Sequence, residues 1–154
     1  MSDTQVSALD HTVQETNVWL KELAEEHDLG DRPHAYSALR AVLHALRDRL
    51  EPEQAVHLGA QLPLLVRGLY YAGWRPAGTP DVTRRLDDFE ARIAQELPQG
   101  FRVDPEATAR AVFQLMWRRL DLNETAKVIA SLPLPLRILW PQEAQNLADA
   151  RTGE

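Results

Sequence analysis

The sequence predicts an all-α fold, a tandem duplication of a four-helix repeat packed into one compact helical bundle. Three observations carry that expectation. Apolar residues recur at helical spacing, most cleanly in the single stripe Leu39, Val42, Leu43, Leu46 and Leu50. Prolines stand where helices begin, at Pro33, Pro52, Pro63 and Pro105, where a missing N–H costs nothing. Finally, the apolar run Leu62-Pro63-Leu64-Leu65-Val66-Arg67-Gly68-Leu69-Tyr70-Tyr71 returns 70 positions later as Leu132-Pro133-Leu134-Pro135-Leu136-Arg137-Ile138-Leu139-Trp140.

The elements follow in order. After a polar lead-in of about nine residues, a helix pattern runs to Asp28. Val13, Thr16, Trp19, Leu20 and Leu23 share one side; Glu15, Lys21, Glu22, Glu25 and Glu26 are expected on the solvated side. Leu29-Gly30-Asp31-Arg32-Pro33 ends it, with glycine suited to a left-handed cap and proline opening the second helix. Pro52 starts a short third helix that buries Ala55, Leu58 and Leu62, and Pro63 starts a fourth. Leu62, Leu65, Val66, Leu69 and Tyr70 form one apolar face of that helix, and Leu64 and Tyr71 a second. A helix apolar on two sides is expected to be central. Gly73 to Pro80 holds two glycines and two prolines and reads as a linker.

The pattern then restarts. Offsetting residues 16–70 by 70 pairs them with 86–140 without a gap, and 15 of the 55 pairs are identical. Arg40-Ala41-Val42 matches Arg110-Ala111-Val112, and Arg49-Leu50 matches Arg119-Leu120. Gly30 and Arg32 match Gly100 and Arg102. The expected division is a first repeat over 10–72, a linker over 73–81, a second repeat over 82–140, and a short helix and tail over 141–154. Asp104-Pro105-Glu106 is a stronger helix start than Pro33-His34-Ala35. Pro135 should shorten the second copy's fourth helix and push Leu134 from helical geometry. The apolar second sides of the Pro63 and Pro133 helices are the expected repeat-to-repeat interface. Ala41, Ala45, Ala111 and Leu115 form another small apolar side, and Leu115 either joins the repeats or faces a partner.

Composition narrows the function. The hydrophobic fraction of 44% suits a globular chain. No apolar run approaches the roughly 18 residues needed to span a membrane. Met1-Ser2-Asp3-Thr4-Gln5 lacks the basic-then-apolar order of a secretory signal, so cytoplasmic residence is expected. With no cysteine there is no disulfide, thiolate ligand or thiol nucleophile. Net charge is −6, and both halves are acidic, which argues against phosphate-driven nucleic-acid binding. Arginine outnumbers lysine 15 to 2, which reads as genomic GC bias before it reads as phosphate recognition.

The block from Ala38 to Pro76, with Arg-Ala-Val, Arg-Leu before a turn, and Leu-Pro-x-x-x-Arg-x-Leu-Tyr-Tyr-x-Gly-Trp, resembles a bacterial domain-of-unknown-function family, numbered 2267. The similarity extends over residues 12–142. It implies a small helical cytosolic protein and supplies no catalytic residue or cofactor. Trp140-Pro141-Gln142-Glu143 departs from the Tyr-Tyr-x-Gly-Trp ending, so any role of Tyr71 and Trp74 belongs to the first repeat.

The search for chemistry returns little. His11, His27, His34, His44 and His57 show no His-Glu-x-x-His or comparable ligand spacing, and exposed polar positions account for them, so no metal is expected. Neither a phosphate loop nor a nucleophile elbow is present, so no cofactor is implied. Asp87-Asp88 and Glu25-Glu26 read as solvated pairs. Arg67 and Arg137 stand on greasy helices, so each needs a partner for its head: a carboxylate such as Asp48, Glu51 or Asp121, or a carbonyl cap. The functional alternative is an anion site where Arg67, Arg137, Arg40 and Arg110 converge at the repeat interface. Arg118-Arg119 beside Trp117 could stack on a base, extended by Arg84, Arg85 and Arg102, against the acidic neighbours Asp87, Asp88 and Asp104.

The resulting expectation is a non-enzymatic cytoplasmic interaction or regulatory module. Its partner is a protein, contacted through Tyr71, Trp74, Leu115 and Trp117; homodimerisation is compatible with the repeat. The alternative is a small-ligand or anion-binding protein using the repeated arginines.

Overall fold

The computed structural model describes residues 4–152 and is helical, without strands among those residues. Nine α-helices follow in order: α1 Ser7–Glu26, α2 Arg32–Arg49, α3 Pro52–Gln61, α4 Leu64–Tyr71, α5 Leu86–Glu96, α6 Pro105–Arg119, α7 Leu122–Ala130, α8 Leu134–Arg137 and α9 Gln142–Thr152. Met1 to Asp3, and Gly153 and Glu154 of the expected tail, lie outside the described residues. Among the described residues no helix is long and apolar enough to cross a membrane.

The starts of α2, α6 and α7 each carry a side chain that satisfies an orphan N–H group. Asp104 accepts from the Ala107 N–H at 2.8 Å at the start of α6, as expected. Asp31 does the same for His34 at 3.0 Å at the start of α2, so the first copy's start is capped as well, a point the Pro33-His34-Ala35 reading overlooked. Gly30 takes φ +88, the left-handed conformation foreseen for it, although α1 already ends at Glu26. Pro135 holds α8 to four residues, but Leu134 is its first helical residue, because proline is tolerated within a first turn.

The centre of the molecule is α2, not α4. The stripe Leu39, Val42, Leu43, Leu46 and Leu50 is buried, with Ala35 on the same side, as are Ala38, Ala41 and Ala45 on another side of the helix. Around α2 pack α1, α4, α5 and α6, and α7 packs on α3, α6 and α9. One apolar core runs from Trp19 to Ala148. Its second half holds an aromatic column in which Phe113 stacks on Trp140 at 4.1 Å and lies 6.4 Å from Phe89.

The expectation for α4 is therefore corrected. It covers α1, α2 and α3 from outside, while α8 packs on α5. Leu64 and Leu134, which head the supposed interface sides, are 55% and 69% exposed. Leu65, assigned to the inner face, is also half exposed. The two halves instead meet through α2 with α5 and α6, α1 with α6, and α3 with α7. Small residues on α2 allow that close approach. Val13 on α1 is exposed as well, whereas Thr12 is buried in its place.

Candidate functional site

Placing α4 outside α2 leaves an apolar groove where α1, the start of α2 and α4 meet. It encloses about 420 Å³ and is lined by residues that include Leu9, Tyr36, Leu64, Leu65, Gly68 and Leu69. Thr12 and Thr16 in its floor spend their polarity internally. The Thr16 hydroxyl donates to the Thr12 carbonyl at 2.7 Å, and the Thr12 hydroxyl accepts from the Leu65 N–H at 2.9 Å. The floor therefore behaves as apolar surface. At Gly68 an added Cβ would meet no atom within 4 Å, so glycine there keeps the groove wide. Arg40 is the one charged residue lining it among the described residues.

Arg40 belongs to a network joining α2 to α5. Its Nη1 donates to Glu96 Oε1 at 2.8 Å, and Arg92 donates to Glu96 Oε2 at 2.8 Å and Asp48 Oδ2 at 2.9 Å. Arg47, fully buried, donates to Asp48 at 2.8 Å and to the carbonyls of Tyr70 and Ala72 at 2.8 and 2.9 Å, fastening the end of α4. His44 bridges Glu96 Oε1, 2.9 Å from Nδ1, and the Leu69 carbonyl, 2.8 Å from Nε2. His44 is thus buried within the bundle, correcting its expected exposure. Burial pushes the Asp48 and Glu96 carboxyls up, but hydrogen bonds from Arg47 and Arg92, and for Glu96 from Arg92 and His44, outweigh it and hold both below their ordinary range.

The repeated arginines cap helix ends. Arg67 donates to the Gly59, Ala60 and Leu62 carbonyls at 2.9, 3.3 and 3.0 Å, closing α3. Arg137 donates to the Leu132 and Ala130 carbonyls at 2.9 and 2.6 Å, closing α7, with Asp149 at 3.8 Å. Asp48, Glu51 and Asp121 are not their partners in these bonds. The cleft lined by Arg67 does not contain Arg137. Arg110 turns to the Ile138 carbonyl and Glu106. Arg67, Arg40 and Arg110 line three separate clefts and Arg137 lines none of them, so the four arginines do not converge on one of these clefts as expected.

The partner residues named from sequence are corrected in part. Leu115 and Trp117 are buried and offer no surface. Tyr71 and Trp74 are half-buried against the core and against each other, with ring centroids 5.4 Å apart, so they staple the end of α4. Arg118 and Arg119 are held by acids: Arg118 by Glu22 and Glu26 at 3.2 and 2.9 Å, Arg119 by Glu22 at 2.7 Å. With Trp117 buried beside them, no base-stacking platform forms. Glu22, expected on the solvated side, is buried between α1 and α6. Glu22, Glu26 and His27 bring donor atoms within 4.8 Å of one another, but Arg118 already occupies both carboxylates.

Sequence reasoning missed the groove, although α4 carried the signal. A helix of eight residues that is apolar on two sides is either central or half-uncovered, and periodicity alone does not distinguish the two.

A family model described as an uncharacterized conserved protein (DUF2267) matches residues 16–139, and the chain belongs to that family. The search of curated proteins found no match.

Proposed function

We propose that this family member is a non-enzymatic interaction module of the bacterial cytoplasm, and that the α1–α2–α4 groove receives the apolar face of a protein partner. The exposed leucines of that groove carry the reading. Leu9, Leu64 and Leu65 are 44%, 55% and 47% exposed and sit beside Tyr36 in one concave surface. Apolar surface gathered in this way is costly to leave in water and marks contact sites. We also infer that the bundle arose by tandem duplication. Helix starts at 52 and 122 and at 64 and 134 keep the 70-residue offset, and Arg67 and Arg137 cap equivalent ends.

The test is a pull-down from a native bacterial lysate with the whole chain, comparing wild type, Leu65→Glu and Gly68→Leu. A stoichiometric protein retained by wild type and lost from both variants, with unchanged melting temperatures, is the expected outcome. A partner retained equally by all three, or none at all, would sink the reading.

A further inference from the structure

We infer that the groove takes an amphipathic partner helix whose apolar stripe ends at an aspartate or glutamate, and that Arg40 reads that acid. The inference rests on the groove being the contact surface, and adds the partner's chemistry.

Charge is the first reason. The α2–α5 network sets three guanidiniums, Arg40, Arg47 and Arg92, against two carboxylates, Asp48 and Glu96. Arg47 is buried and engaged through Nε and Nη1, and Arg92 bridges both acids. The surplus positive charge therefore falls at Arg40, whose side chain is 43% exposed at the edge of an otherwise uncharged groove. A guanidinium presents a planar fork of five N–H donors; engaged with Glu96 through Nη1, it keeps donors for a second carboxylate. A cationic or uncharged end on the occupant would leave that surplus uncompensated.

Shape is the second reason. Val6, at the N-cap of α1, and Leu9 and Val13 on it recur at intervals of three and four, and all three are exposed. Through Leu9, which lines the groove, this exposed stripe adjoins it and spans about 10 Å, roughly two helical turns. That length suits partner anchors at i, i+3 or i+4, and i+7. The groove is open along one side, so an extended acyl chain would leave the Val6 and Val13 flank wet. A helix about 10 Å wide covers it.

The probe is a displayed library of helical peptides of about 16 residues, with leucine fixed at i, i+3 and i+7 and flanking positions randomised, selected on the full chain. The expected result is enrichment of aspartate or glutamate at one fixed register beyond the stripe. Affinity should fall about tenfold for Arg40→Glu, less for Arg40→Gln, and recover on Arg40→Glu when the peptide's acid is changed to lysine. Melting temperatures of both variants report any loss of fold. Apolar peptides without acid preference, still lost on Gly68→Leu, would overturn the role of Arg40 and leave the groove reading standing. No enrichment, or binding indifferent to Gly68→Leu, would overturn both.

Discussion

Glu22 on α1 accepts a hydrogen bond from Nη2 of Arg119 on α6 at 2.7 Å, across 97 residues of sequence. The carboxylate is buried, while Arg118 and Arg119 approach it from the surface with side chains 47% and 38% exposed. This asymmetry decides which partner matters. Removing Glu22 leaves Arg119 without its acid and Arg118 with Glu26 alone, whereas removing one arginine leaves the buried acid the other. Glu22→Gln should destabilise the fold by about 1–2 kcal/mol, a buried charge-assisted bond discounted for its wet partners. Arg119→Ala should cost less. Urea denaturation of both variants compares them directly; equal losses would contradict the asymmetry.

Asp48 and Glu96 make stability depend on acid pH. Both carboxyls are held below their ordinary range in the fold, by arginine hydrogen bonds that outweigh burial. The unfolded chain therefore binds protons first as pH falls. Their contribution is complete above the ordinary carboxylate range and is lost as pH drops through the folded-state values. The urea midpoint should hold steady near neutrality and fall below about pH 4. Glu96→Gln should shallow that decline while lowering the neutral-pH midpoint, because the amide cannot balance Arg92 and Arg40. An unchanged acid slope in Glu96→Gln would remove Glu96 from this role.

Much of the architecture was legible because it is local. The Leu39 to Leu50 stripe, the proline-led helix starts, the Asp104 cap and the short α8 all follow from a few neighbouring residues. What sequence periodicity lacks is the identity of the covering element. It gave α4 two apolar sides without saying that one of them, with Leu64 and Leu65, would face water. It put Glu22 among the solvated acids of α1, because its partners Arg118 and Arg119 lie on α6. The burial of His44 depends likewise on Glu96 and on the Leu69 carbonyl, which no local spacing brings together. The groove falls into this second class, since three separate helices define it.

Arg67 and Arg137 should behave as structural caps. Arg67→Ala frees the terminal carbonyls of α3, and loss of a charged donor to backbone acceptors should cost about 1.5–3 kcal/mol. Arg67→Lys should recover little, because an ammonium cannot span the Gly59 and Leu62 carbonyls as the planar fork does. Phosphate titration followed by amide NMR should leave the resonances around both arginines in place. A saturable shift at either one would return the anion reading.

Gly59 offers a test whose sign changes with its neighbour. It is buried within α3, and an added Cβ would collide with the Tyr71 hydroxyl and lie 2.6 Å from Cζ of that ring. Tyr71 cannot swing away without breaking its packing on Tyr70 and Trp74, at 5.0 and 5.4 Å between centroids. Gly59→Ala in the wild-type background should therefore destabilise by about 1–3 kcal/mol, the usual cost of overpacking. In a Tyr71→Ala background the collision is gone and only the backbone preference remains. Alanine is favoured over glycine inside a helix by about 0.5–1 kcal/mol, so the same substitution should stabilise. The four urea midpoints of that double-mutant cycle give the coupling between the two positions. A coupling near zero would mean that the Tyr71 ring is not a fixed staple at the end of α4, and that the wall it gives α3 is soft.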